Sequence, residues 1–496
     1  PPPSTFPVLS HRLQLGASPY LLCSLHLLSK MAGKAAALLA EFIGTFMLVF
    51  TVGCTVLAET PVDWGPTAAA CTLMVMIYAF GSISGGHLNP AVSLALALAN
   101  KFGGAFSGWP MVLAYMLAQV CGGIAAGFSY VAVFQAEVKL DPVKPFGWWQ
   151  AMTVEVIFTA MLAFVVLSVA ASKRNNPEGS QNHFYGLAIG FVVVAGGYGA
   201  RPISNAVFNP AVAIGLDVSS LEDGVYQGFI YAAWQAVGAL LAALLFRLTR
   251  PEDYLRDTAS ATAYEPSLPT RCASEFLGTY ILVLTVGLNS LGKSGVAPWA
   301  AGASLICMIY SLGDVSGAHF NPAVTLAVVL SRKGNCSPRH GLVYAVFQVL
   351  AGVLAGLLYT GIYDIQTISM QPSDLYSDRA AYIVEFVFTF TLAFVVLSTA
   401  CVKGVVSPLS RNFYFALAIG ASVAAAGFAA GSVSCGVFNP AIAFGLTVPA
   451  TLNHGGLYYC WTYSLVQLAA GVTAALIFQV THAREYSAKA YRATQD

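Results

Sequence analysis

Long apolar stretches recur along the chain near residues 36–58, 66–83, 108–134, 148–171, 184–200, 225–246, 272–291, 297–313, 341–363, 380–402, 413–430 and 456–480, with short polar segments between them. Each is close to the about 20 residues that an α-helix needs to cross a bilayer. The pattern predicts an all-α membrane protein with twelve spans. Four further apolar runs, 92–99, 212–216, 324–330 and 442–446, are too short to cross. Each follows an Asn-Pro-Ala triplet: Asn89-Pro90-Ala91, Asn209-Pro210-Ala211, Asn321-Pro322-Ala323 and Asn439-Pro440-Ala441. Asn is a good N-cap, and Pro at the first helical position gives up only an N–H that is unpaired there anyway, so each triplet predicts the start of a half-helix. One copy would read as an ordinary capped helix; four, each set between spans, read as a repeated device.

The repeat extends beyond the triplets. Glu41 in Ala-Glu-Phe-Ile-Gly-Thr is echoed by Glu275 in Ser-Glu-Phe-Leu-Gly-Thr, and Glu155 in Val-Glu-Val-Ile-Phe-Thr by Glu385 in Val-Glu-Phe-Val-Phe-Thr. Each quarter of the chain then closes on a glutamine beside small residues: Gln119, Gln235, Gln348 and Gln467. An odd number of spans per quarter forces the next quarter to enter from the opposite face, so neighbouring quarters are inverted repeats. Two quarters make a module of six spans and two half-helices, and the second module repeats the first in the same orientation. The expected division is an N-terminal extension over 1–33, modules over 34–248 and 271–481, a linker over 249–270 and a tail over 482–496.

Composition agrees with a bilayer setting: 57% of residues are hydrophobic and only 9% charged. The formal net charge is +1, with no basic cluster, so nothing points to nucleic acid. Basic residues do divide between the faces. With the N-terminus inside, inner segments hold Lys34, Lys101, Lys173, Arg174, Arg247, Arg250, Arg256, Arg271, Arg332, Lys333, Arg339, Lys403, Arg411, Arg484, Lys489 and Arg492, against Lys139, Lys144, Arg201, Lys293 and Arg379 outside. That bias places both termini in the cytoplasm. Most cysteines sit singly inside apolar segments, as Cys54, Cys71 and Cys307 do, and read as small buried residues. No spacing suggests a metal site, a phosphate cradle or a nucleophile with its base, so no enzyme, metal or cofactor is expected. Residues 1–30 precede Met31, a plausible start, and name no cellular address.

In each module the two half-helices would enter from opposite faces and meet N-terminus to N-terminus near the midplane. Each N-terminus carries roughly half a positive charge, so the pair forms a barrier to cations and protons but not to neutral solutes. Each capping Asn can bind its own helix through oxygen and still offer an N–H to a passing oxygen atom. The intramembrane glutamates admit two readings, a proton or cation relay and an acceptor for loop N–H groups; their four equivalent placements favour the structural one. The glutamines read likewise as interhelical hydrogen-bonding residues. His87 and His319, two residues before the first Asn of each module, are expected beside the lumen.

This pattern resembles the aquaporin or major intrinsic protein family, in two complete modules fused in tandem over roughly residues 36–480. The most specific carriers are Ser84-Gly85-Gly86-His87-Leu88-Asn89-Pro90-Ala91-Val92 and Ser316-Gly317-Ala318-His319-Phe320-Asn321-Pro322-Ala323-Val324. The resemblance implies passive conduction of water or small neutral solutes, one pore per module, and four modules around a common axis, hence a homodimer of this chain. Most members place Arg directly after the second Asn-Pro-Ala; here Val212 and Ile442 stand there. Counting back, the remaining filter positions fall on Ala69, Gly197 and Ala206, and on Ala301, Gly427 and Gly436. All are small or apolar, which favours glycerol, urea, ammonia or hydrogen peroxide alongside water. Arg201 lies in the same outer loop as the second motif of the first module, a place near which the second module has Ser432, so a difference between the two pores is expected. Two other readings stand beside the channel: a weakly conducting structural or junctional membrane protein of the same fold, and a secondary transporter, against which stands the lack of any lone intramembrane charge.

Overall fold

The computed structural model describes residues 19–58, 64–177, 182–223, 226–255, 263–333, 336–402 and 413–486. The leading part of the N-terminal extension, the middle of the linker, the end of the tail, and Arg256, Lys403, Arg411, Lys489 and Arg492 lie outside them.

In the first half, α1 (Pro19–Leu57), α2 (Gly65–Ser84), α4 (Trp109–Phe134), α5 (Trp148–Val166, continued by a π-turn over Leu167–Ala171), α6 (Tyr185–Ser204) and α8 (Tyr226–Thr249) are long enough to cross a membrane, and α3 (Pro90–Leu98) and α7 (Pro210–Asp217) are half-helices. The second half repeats this order. Its long helices are α9 (Leu268–Leu291), α10 (Ala297–Ser316), α12 (Pro338–Ile362), α13 (Asp378–Ala400), α14 (Phe415–Ser434) and α16 (Tyr458–Thr481); α11 (Pro322–Ser331) and α15 (Pro440–Ala450) are its half-helices. The chain is therefore two fused six-span modules of one fold.

Two boundaries differ from the expectation for physical reasons. α1 begins at Pro19, within the stretch set apart as an extension, because no glycine or proline interrupts the chain from Tyr20 to Met31. α6 and α14 run on to Ser204 and Ser434, past the apolar stretch, because each terminal serine hydroxyl is held by a buried carboxylate.

The half-helices lie against neighbouring spans at backbone distance. A Cβ on Gly123 of α4 would run into the carbonyl of Ala211, and one on Gly352 of α12 into that of Ala441. Only glycine allows this approach, as expected where helices pack in a bilayer through small residues.

The halves meet along α5 and α6 of the first and α9 and α10 of the second. Phe184 stacks on Tyr310 at 4.3 Å, and the edge of Phe191 meets Trp299 at 5.4 Å. At one end of this contact, Arg250 is fully buried and bonds Asp314 in bidentate fashion, 2.7 and 3.0 Å. The turn after it, Pro251–Tyr254, brings Asp253 to Lys101 at 2.6 Å and Glu252 to Arg174 at 3.2 Å. The start of the linker thus ties the end of α3, the end of α5 and the end of α10 together. The contact leaves a measurable asymmetry. Of the most apolar window of each span, 78% and 72% is buried in α5 and α6, and 72% and 78% in α9 and α10. The equivalent α13 and α14 are 39% and 33% buried, and α1 and α2 are 39% and 28%.

Candidate functional site

Each Asn-Pro-Ala triplet opens its half-helix as its residue types require. Asn89, Asn209, Asn321 and Asn439 are N-caps with extended backbone, φ between −158° and −154°. Their side-chain oxygens accept from the N–H of Ala91, Ala211, Ala323 and Ala441 at 2.8–2.9 Å. Pro90, Pro210, Pro322 and Pro440 occupy the first helical position.

The caps are exchanged between the two half-helices of each module. Asn89 Nδ2 donates to the carbonyl of Phe208 and Asn209 Nδ2 to that of Leu88, both at 2.9 Å; Asn321 and Asn439 do the same with Phe438 and Phe320. Each amide has two N–H groups, so one remains beyond this bond. The half-helix N-termini therefore face each other within each module, locked by a reciprocal pair of hydrogen bonds.

The residue before each cap is strained. Leu88, Phe208, Phe320 and Phe438 have φ of 49–52°, left-handed backbone that costs a bulky side chain about 1–2 kcal/mol. Their carbonyls take the exchanged Asn bonds, and their N–H groups are held by carboxylates. Glu41 accepts from Leu88 N (2.7 Å), His87 N (3.0 Å), Ser84 Oγ (2.6 Å) and Gln119 Nε2 (2.7 Å). Glu155 holds Phe208 N, Val207 N, Ser204 Oγ and Gln235 Nε2 at 2.7–2.9 Å. Glu275 makes the matching set with Phe320, His319, Ser316 and Gln348, and Glu385 with Phe438, Val437, Ser434 and Gln467. Every glutamate is completely buried and every one of its oxygens receives two donors. Ser84 and Ser316 stand in the quoted motifs and Ser204 and Ser434 in none; the part all four play in this lattice depends on span ends that the hydrophobic pattern does not mark.

A cavity of about 50 Å³ runs past the first pair of caps. It brings together Asn89, Asn209 and His87 with three predicted filter residues, Ala69, Ala206 and Val212. Gly197 does not line it; a Cβ there would sit 2.7 Å from Pro66, at the start of α2. The remaining wall is aliphatic, with Leu48 and Val52 of α1, Leu73 and Ile77 of α2, Leu162 and Val166 of α5, and Ile189 and Val193 of α6. These residues follow helical spacing and are indistinguishable in sequence from core. His87 is turned by its Nδ1 to Ser93 Oγ (3.1 Å) and stacked edge-on by Phe106 at 4.5 Å. His319 faces Thr325 Oγ1 at 3.2 Å. In the second module Gly427 packs on Pro298 as Gly197 packs on Pro66, and a Cβ on Gly436 would lie 3.5 Å from the Gly427 Cα. Ala301 and Ile442 hold the positions of Ala69 and Val212, both buried. The first module's cavity is thus mostly apolar, with Asn89, Asn209 and His87 as its polar side chains.

Among known proteins, the sequence profile described as Major intrinsic protein matches residues 28–220, 187–296 and 270–410. Aquaporin NIP1-3 of Oryza sativa subsp. japonica is 36% identical over 234 residues, which is 44% of this chain and 75% of the relative. Probable aquaporin NIP-type of Nicotiana alata is 32% identical over 238 residues, 46% of this chain and 82% of the relative. Both matches take up most of the relative and under half of this chain, as a doubled module requires. A solved structure, the aquaglyceroporin from Plasmodium falciparum, is 20% identical, with a TM-score of 0.38 over 43% of this chain and 95% of that one.

Proposed function

The chain belongs to the major intrinsic protein family as a multi-pass channel for water or small solutes and not an enzyme, and from that premise we propose that each of its two modules encloses a separate passive pore for small neutral molecules, water together with glycerol, urea, ammonia or hydrogen peroxide. The observation that carries this reading is the reciprocal locking of the half-helix caps inside an aliphatic tube.

A neutral molecule at the midplane leaves hydrogen-bonding water behind and finds replacement donors there, in the second N–H of each Asn. A cation finds two helix N-termini. At about 5 Å and an effective dielectric of about 20, two half-charges raise its energy by on the order of 3 kcal/mol, before any loss of hydration. The filter positions Ala69, Gly197, Ala206 and Val212, with Ala301, Gly427, Gly436 and Ile442, offer no charge, so size and the apolar wall select the solute. The basic bias of one face puts both termini in the cytoplasm.

The covered faces of α5, α6, α9 and α10 and the open ones of α1, α2, α13 and α14 support assembly of two chains. A two-fold axis would set α13 and α14 of each chain on α1 and α2 of the other, completing a four-module ring. The open faces carry small residues, Ala421, Ala425 and Ala429 on one and Cys71, Ala79 and Ser82 on the other.

Stopped-flow light scattering on proteoliposomes tests conduction: osmotic shrinkage reads water, and re-swelling in glycerol or urea reads solute. Rates equal to empty liposomes, with folded protein inserted, would overturn the proposal.

A further inference from the structure

The two modules are alike at the midplane and unlike at their outer mouths. Three matching bonds fix the correspondence. Ser204 and Ser434 donate to Glu155 and Glu385. Val143 N donates to the Ile203 carbonyl at 3.0 Å, and Ser373 N to that of Val433 at 3.3 Å. Asn205 Nδ2 donates to the Asp141 carbonyl at 2.8 Å, and Cys435 Sγ to that of Gln371 at 3.3 Å. In this register Arg201 corresponds to Gly431 and Lys144 to Asp374.

Arg201 brings its guanidinium to the start of α2 beside the first mouth: a Cβ on Gly65, one turn before Ala69, would lie 3.3 Å from Arg201 Nη1. In the second module this side chain is missing, and a Cβ on Gly431 would meet only open space. The space is a recess of about 290 Å³, lined among others by Ser369, Gln371, Asp374, Gly431, Ser432 and Cys435. It adjoins the expected filter directly, because a Cβ on Gly436 would lie 3.3 Å from the Gly431 Cα and 3.5 Å from the Gly427 Cα. Three glycines, Gly427, Gly431 and Gly436, thus lie together between the recess and the expected filter. The first module has Gly197, Arg201 and Ala206 at these places.

We propose that the two pores of one chain are specialised, the second taking small uncharged polyols through this recess and the first restricted by Arg201 to smaller solutes such as water. Hydroxyl, amide and carboxylate groups around the recess offer both donors and acceptors to a polyol that must shed water before the aliphatic tube, and the volume far exceeds the about 15 Å³ that holds one water. The Asp374 carboxylate disfavours anions. At the first mouth a guanidinium narrows the entrance and replaces open backbone. Arg201 and Gly431 are therefore specificity-determining residues, an assignment that rests on the channel reading above.

The test uses the full chain in proteoliposomes, with glycerol as the probe. Gly431→Arg lowers glycerol re-swelling about tenfold, the lower range of what one steric misfit costs in a fitted site, while shrinkage changes by less than about twofold because the first pore stays open. Arg201→Gly raises glycerol re-swelling. Alkylation of Cys435 by a bulky maleimide gives a second measurement on wild-type protein: it slows glycerol and spares water, and Cys435→Ser is insensitive. Unchanged glycerol flux in Gly431→Arg, or water and glycerol falling together in the alkylated wild type, overturns the specialisation alone. Wild-type protein that passes neither solute overturns the channel reading with it.

Discussion

Replacing Glu385 with Gln tests whether the buried glutamates hold the loops or carry protons. In the native chain Oε1 accepts from Ser434 Oγ (2.6 Å) and Val437 N (2.9 Å), and Oε2 from Phe438 N (2.8 Å) and Gln467 Nε2 (2.8 Å). Glutamine keeps one acceptor oxygen and puts an NH₂ in the other place, so in either orientation two donors face a donor. Ser434 and Gln467 can turn aside, but the backbone N–H of Val437 or Phe438 cannot. A stranded buried donor costs about 1–3 kcal/mol, and hydrogen bonds between membrane helices average nearer 0.6 kcal/mol each, so the swap costs about 2–4 kcal/mol. Phe438, at φ 49°, also loses part of what keeps it in a strained conformation. Against a total of about 5–15 kcal/mol this is a large loss. The expected result is a melting temperature lower by about 5 °C or more in detergent, read by intrinsic fluorescence, and a reduced folded yield. A variant that melts as wild type would refute the structural reasoning. A Glu155→Gln variant that folds normally yet loses a proton-driven uptake present in the wild type would make the carboxylates a relay and the channel reading wrong.

The ion-paired junction around Arg250 gives a graded set of outcomes. Arg250→Met leaves the buried Asp314 carboxylate unpaired and should cost about 3–5 kcal/mol, whereas Arg250→Met with Asp314→Leu should recover most of it; thermal melts decide. Glu252 is buried beside Arg174 and Arg250, and burial pushes its carboxyl above the usual range despite their pull. A carboxyl raised in the folded state favours folding when protonated, so its contribution is lost as pH rises through the folded value. The melting temperature of wild type relative to Glu252→Gln should therefore fall as pH is raised above the ordinary carboxylate range. Native mass spectrometry should show two chains together, and Ala425→Trp, placed on the open face of α14, should yield single chains whose modules remain joined; dimers persisting in that variant would count against the ring.

The twelve spans, the four half-helices and their caps could be read from sequence because each rests on a local rule: apolar length for the spans, and Asn followed by Pro for the caps. The identity of the glutamate partners could not. Glu385 meets Val437 and Phe438 across more than fifty residues, and nothing local marks those N–H groups as needing an acceptor. What the repeat did supply was equivalence: four glutamates at four matched places are more economically read as one solution to one backbone problem.

The lumen shows where such reasoning stops. Ala69, Ala206 and Val212 converge in the cavity because each lies a fixed count from a cap, along a helix or a tight loop that the cap itself anchors. Gly197 lies the same kind of count away but faces Pro66, while Val193 and Ile189, one and two turns earlier on α6, reach the cavity. A glycine has no side chain to send anywhere, so its place in a filter is a statement about what its neighbours leave open. The sequence sets Arg201 of the first module against Ser432 of the second, whereas the matched bonds of Ser204 and Ser434 set it against Gly431. Gly427 and Gly197 occupy matched positions, yet the space beside each is decided four residues later, by Gly431 in one half and Arg201 in the other. Two modules with nearly the same residues at the expected filter positions thus differ in the space beside them.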